Sequence, residues 1–145
     1  MTTTTATVAA LPTGHTDLIL DRAACYLARH GWTSAGLYDH HDGCTRNCVC
    51  HRTGLYPASI IGAIRVAVFG QPRWYLDTAT DHDRHTYTAA VEWLNTYLIA
   101  YGHAGQHGPV FDWQKAPGRD LADICGALHA AANAYRHHTE RRTAA

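Results

Sequence analysis

At 145 residues the chain holds one domain's worth of material and can bury about two thirds of the surface its unfolded form exposes, so its core needs no disulfide or metal staple. A hydrophobic content of 46% with 17% charged residues excludes wholesale disorder. Twelve Lys and Arg balance twelve Asp and Glu, and the resulting zero net charge removes the bulk electrostatic footprint of a general nucleic-acid or anionic-membrane binder.

Residues 1–14 are rich in Thr and Ala and close on Pro12, Thr13 and Gly14. They have little to bury, no basic start and no sustained apolar run, so they read as a flexible tail and not as a secretory signal. No run of about 18 apolar residues exists to span a membrane, and the expected compartment is the cytoplasm. Five cysteines, an odd number, then argue for reduced thiols or metal ligands over a disulfide framework.

Thr16 or Asp17 can cap a first helix running to Gly31, with Leu20, Ala23, Ala24 and Leu27 at three- and four-residue spacing. Trp32 is expected to fold back over the end of that helix as core. Residues 33–56 form a long connection rich in Gly, Asp, His and Cys, and loops of that length usually carry function or are pinned. A second helix, over 57–70, is apolar on nearly every face and reads as the buried helix around which the chain is organised. Pro57 suits its first turn, and Gly70 before Gln71 and Pro72 supplies its stop.

Thr80, Asp81 or Asp83 can cap a third helix reaching 101, with Tyr87, Ala90, Val91, Leu94, Leu98 and Tyr101 as its apolar face. The Gly-rich stretch 102–109 breaks the pattern, after which Phe111 and Trp113 can pack back onto the bundle. Asp120 is the expected N-cap of a last helix over 120–138, with Leu121, Ile124, Cys125, Leu128, Ala132 and Tyr135 on one face. Arg136, His137, His138, Arg141 and Arg142 follow where positive charge complements a helix C-terminus. The expected fold is all-α, an irregular array of about four helices with a long Cys/His-rich loop between the first two. A single domain over 15–138 would be followed by a short tail, 139–145.

Gly31 and Trp32 closing the first helix, Gly62, Ala63, Ile64 and Ala67 in the second, and Trp113 followed by Ala116, Pro117, Gly118 and Arg119 together resemble a family of small actinobacterial and actinophage proteins of unknown function. The resemblance spans 17–135. It implies a helical fold and an intracellular bacterial or phage setting, and it brings no activity. Members of the family often carry a cysteine just before the Gly-Ala pair, where this chain has Ser59, Ile60 and Ile61, and the resemblance does not account for the Cys-rich insert.

The chemistry concentrates between the first two helices. Cys44, Cys48 and Cys50 fall within seven residues, flanked by His40 and His41 on one side and His51 on the other. Zinc takes thiolate sulfur and imidazole nitrogen in a closed tetrahedron, and ligands two to four residues apart converge across tight turns, which Gly43 and Asn47 favour. Cys48 and Cys50 can face one side of an extended segment, Cys44 reaches them by a chain reversal, and either His41 or His51 can be the fourth ligand. The spacing is not that of a two-pair zinc finger, so uncoordinated thiols and a redox or nucleophilic thiol at Cys48 or Cys50 stay open beside structural Zn2+.

Cys25 and Cys125 sit on apolar faces and read as small buried hydrophobes. Asp81, His82, Asp83 and His85 precede a helix and read as capping residues. His129, His30, His103 and His107 have no carboxylate or nucleophile at a telling spacing, and no triad, phosphate loop or acid and base pair is visible, so no catalytic residue is assigned. The expected function is a small intracellular helical binding module with a zinc loop and a protein partner. The alternatives are a thiol-dependent enzyme or redox protein using Cys48 and Cys50, and a nucleic-acid binder using Arg46, Arg52 and the C-terminal arginines.

Overall fold

In α1 (Thr16–His30) the residues Ile19, Leu20, Ala23, Ala24 and Leu27 recur at helical spacing, and all of them are buried. The computed structural model describes residues 15–39, 53–101 and 108–144. Among these, α1 is followed by α2 (Ile60–Phe69), α3 (Asp81–Ala100), α4 (Pro109–Gln114) and α5 (Leu121–Ala144), with no strand, so the fold is all-α. The expected tail 1–14 and the Cys/His stretch 40–52 lie outside the described residues.

The organising element is α1 and not the second helix, because α1 packs against α5, α2 and α3. The small residues Ala23 and Ala24 on α1 and Ala131 and Ala132 on α5 are all buried, and small side chains let helix axes approach closely. Leu20, Leu27, Ile64, Leu94, Leu98, Ile124 and Leu128 are at most 1% exposed, and each contributes about 1.5–3 kcal/mol of apolar burial before the entropy of ordering is set against it. In α2 only Ile60, Gly62, Ala63 and Ile64 are buried; Val66, Ala67 and Val68 in its second half are half-buried.

Helix α2 also begins at Ile60 and not at Pro57. Ala58 is held extended between two neighbouring stretches: its amide donates to the Gly31 carbonyl at 3.0 Å, and its own carbonyl accepts from the Thr33 amide at 2.9 Å. Those bonds compete with helical geometry, so the helix starts only at Ile60, behind a Ser59 N-cap whose Oγ accepts from the Gly62 amide at 3.0 Å. At the other end Gly70 takes the left-handed conformation, φ 83°, expected of a glycine stop. Trp32 is half-buried against the core, as expected.

The cap of α3 is Thr80, whose Oγ1 accepts from the Asp83 amide at 3.1 Å, with Asp81 and Asp83 in its first turn. Its expected apolar face is buried at Ala90, Leu94 and Leu98, while Tyr101 is exposed. Trp93 joins α3 to α5 by donating from Nε1 to the Ala131 carbonyl at 2.8 Å and stacking edge-on against Tyr135. For α5, Asp120 and Asp123 cap each other's amides, at 2.9 and 3.2 Å.

Three expectations are corrected. Neither Thr16 nor Asp17 caps α1: His15 holds that position without a side-chain bond, Thr16 is buried, and Asp17 is drawn to α5. Among the described residues a short helix, α4, is added to the four expected, because Pro109 presets its first turn and the Val110 amide finds Asn95 Oδ1 at 3.3 Å. The last helix runs on through 139–144, read from sequence as a tail, with the Thr139 and Thr143 hydroxyls donating back to the Tyr135 and Thr139 carbonyls and Arg141 and Arg142 in its last turn, where positive charge complements the helix dipole.

Candidate functional site

The connection between α1 and α2 folds over the start of α2. The Asp39 amide donates to the Pro57 carbonyl at 2.8 Å and the Ser59 amide to the Leu37 carbonyl at 2.9 Å, tying the two ends of the Cys/His stretch side by side. Tyr38 locks this base from beneath. It is buried, its hydroxyl donates to the Gly62 carbonyl at 3.1 Å and accepts from the Arg73 amide at 2.9 Å, and burial pushes its pKa up. Arg65 continues the support, donating to the Arg73 and Trp74 carbonyls and lying over the Tyr87 ring, so it serves the fold and is not a free surface cation.

Beside the base is a cleft of about 470 Å³, lined by Ser34, Leu37, Ser59, Ile61, Phe111 and Lys115 among others. Gln114, only 4% exposed, fixes its floor by accepting the Ile60 amide at 3.2 Å. Phe111 was expected to pack back on the bundle with Trp113; Trp113 does, but Phe111 is 47% exposed at the rim with the Lys115 ammonium 4.1 Å above its ring. The volume lies in the range of binding clefts, and an apolar wall with a few polar groups is their usual chemistry. The expected ligand set, Cys44, Cys48, Cys50, His41 and His51, lies outside the described residues. Among the described residues no three His, Cys, Asp or Glu side chains come together to hold a metal.

A second groove of about 410 Å³ runs between α1 and the end of α2, lined by Arg22, Cys25, Tyr26, Arg29, His30 and Val66 among others. Tyr26 forms part of its wall, donating to the Tyr56 carbonyl at 2.6 Å, and burial raises its pKa to about 12. Burial, then the Arg29 charge, holds His30 below the usual imidazole value. Cys25 corrects the sequence reading: it is exposed, because it flanks the buried Ala23 and Ala24 stripe and does not belong to it. Cys125 is half-buried, with Sγ 3.5 Å from the Ala24 carbonyl oxygen.

Along the same α1–α5 seam, His129 Nδ1 lies 2.7 Å from Asp21 Oδ1, and Arg136 bonds both Asp17, at 2.7 Å, and Asp21. The sequence reading missed this carboxylate for His129 and assigned Arg136 to the helix dipole. The available signal was one acidic stripe, Asp17 and Asp21, matched by His129, Asn133 and Arg136 on the last helix at three- and four-residue spacing. Burial alone would raise the Asp21 carboxyl, but hydrogen bonds from His129 and Arg136 and their charges outweigh it and hold the pKa below the ordinary value.

The described residues form an all-α domain with a cleft beside the start of α2 and a groove between α1 and the end of α2. The chain belongs to the family described as "Family of unknown function (DUF6197)", which matches residues 12–134. No curated protein and no solved structure matches it. No described helix is long and apolar enough to cross a membrane.

Proposed function

We propose that this chain is a cytoplasmic helical binding module whose Cys/His stretch holds one zinc ion and whose protein partner seats a peptide segment in the cleft of Leu37, Ile61 and Phe111. The observation that carries the reading is the tied base: two backbone hydrogen bonds close the Cys/His stretch directly at the wall of that cleft. The donor set fits zinc, since Cys44, Cys48 and Cys50 can supply three thiolates and His41 or His51 an imidazole. The ion would give order locally, while the helices keep their own apolar core.

Two measurements test it. Elemental analysis of tag-free protein should give about one zinc per chain, lost in Cys44→Ser and Cys48→Ser with helical content kept. Zinc near zero with three equally reactive thiols in this stretch would reject the metal site, and a reversible Cys48–Cys50 disulfide would favour the thiol-enzyme alternative. Selection of displayed peptides against the immobilised protein should enrich sequences whose binding is lost on Phe111→Glu and Ile61→Glu and kept on Tyr75→Glu. Enriched peptides indifferent to the first two changes would reject the cleft.

A further inference from the structure

Helices α1 and α5 run antiparallel, and their side-chain pairs fix the register: Asp21 faces His129, and Arg136 reaches back to Asp17. One turn along the same seam, four residues on from Asp21 and four back from His129, are Cys25 and Cys125. The Cys125 sulfur is already 3.5 Å from the carbonyl oxygen of Ala24, the residue joined directly to Cys25. Ala24, buried beside Cys25, leaves no bulky side chain between the helices at this level, so the α5 thiol reaches the α1 backbone, the close approach a disulfide requires. The geometry points to Cys25 and Cys125 as a dithiol pair that oxidises to a disulfide stapling α1 to α5.

The two thiols have different surroundings and therefore different parts. Cys25 is exposed in a groove whose charged lining, Arg22 and Arg29, contains no carboxylate, so an anionic disulfide such as glutathione disulfide is the oxidant it favours. Cys125 is half-buried, and burial raises its pKa, which suits it to react second. The Cys25 thiolate attacks one sulfur of glutathione disulfide, forming a mixed disulfide and releasing one glutathione thiolate. The Cys125 thiolate then attacks the Cys25 sulfur and releases the second glutathione. Two protein thiols are oxidised, one glutathione disulfide is reduced to two thiols, and the two protons leave with them. The staple ties residues a hundred positions apart, a loop long enough for the constraint on the unfolded chain to be large.

The test treats reduced, full-length, tag-free protein with glutathione disulfide, alkylates the remaining thiols and maps tryptic peptides by mass. The expected product links peptide 23–29 to peptide 120–136, is reversed by dithiothreitol, and raises the melting midpoint by roughly 10 °C. Cys125→Ser should stop at the glutathione adduct on Cys25, and Cys25→Ser should leave Cys125 as free thiol. Arg22→Gln with Arg29→Gln should slow oxidation by glutathione disulfide roughly threefold or more while leaving the cationic disulfide cystamine no slower. A parent protein that accumulates only the adduct, that links Cys25 to Cys44, Cys48 or Cys50, or that does not react overturns the pair. Equal slowing with both oxidants overturns the part given to the groove.

Discussion

Replacing Gly62 by alanine tests the crossing on which the candidate site rests. A Cβ at this position would lie 2.3 Å from the Leu37 carbonyl oxygen, 3.0 Å from Tyr38 Cε1 and 3.2 Å from Ala58 Cβ. The first contact is with backbone, so the connection must move away from α2. Moving it strains the bond from the Ser59 amide to Leu37 and the bond from the Tyr38 hydroxyl to the Gly62 carbonyl. Overpacking costs about 1–3 kcal/mol, and weakening two buried hydrogen bonds adds about 1 kcal/mol each. Alanine's better helix propensity returns about 1 kcal/mol, leaving a net loss of about 2–4 kcal/mol. At this chain length that lowers the melting midpoint by roughly 6–12 °C, measured by calorimetry against the parent. Gly126→Ala is the control: this glycine is an exposed α5 residue with nothing within 4 Å of the added carbon, and the change should raise the midpoint by roughly 2–4 °C. A Gly62→Ala protein melting at or above the parent would refute the close approach of the connection to α2.

Ile64 is fully buried, so Ile64→Asp places an unpaired carboxylate in the core at a cost of several kcal/mol against a total stability of about 5–15 kcal/mol; the variant should show no cooperative thermal transition, and one melting within a few degrees of the parent would contradict the role of α2's first half. The Asp21 carboxyl is depressed in the folded state, so its contribution is present above the ordinary value of 3.8 and lost as pH falls through the folded value. Asp21→Asn should therefore lower stability in urea at pH 7 by about 1 kcal/mol, discounted for the partial exposure of Arg136, and the difference from the parent should shrink toward pH 2. A difference independent of pH would assign the loss to packing.

The helices themselves were legible from periodicity and punctuation. Leucine and alanine at helical spacing, Thr80 and Asp120 as caps and Gly31 and Gly70 as stops each act within one or two turns, and local rules describe such effects completely. The Cys/His cluster was legible as composition, because three thiols in seven residues need no fold to be noticed.

Tertiary structure alone decided what depends on two distant segments meeting. Ala58 leaves helical geometry because Gly31 and Thr33, far back in the chain, bond its backbone. Cys25 is exposed and Asp21 meets His129 because α5 covers one stripe of α1 and not the next, a choice set by the register of packed alanines that no window of local sequence contains. The same register brings the Cys125 sulfur to the Ala24 carbonyl oxygen from a hundred residues away, where periodicity marked Cys25 and Cys125 only as small hydrophobes on apolar faces.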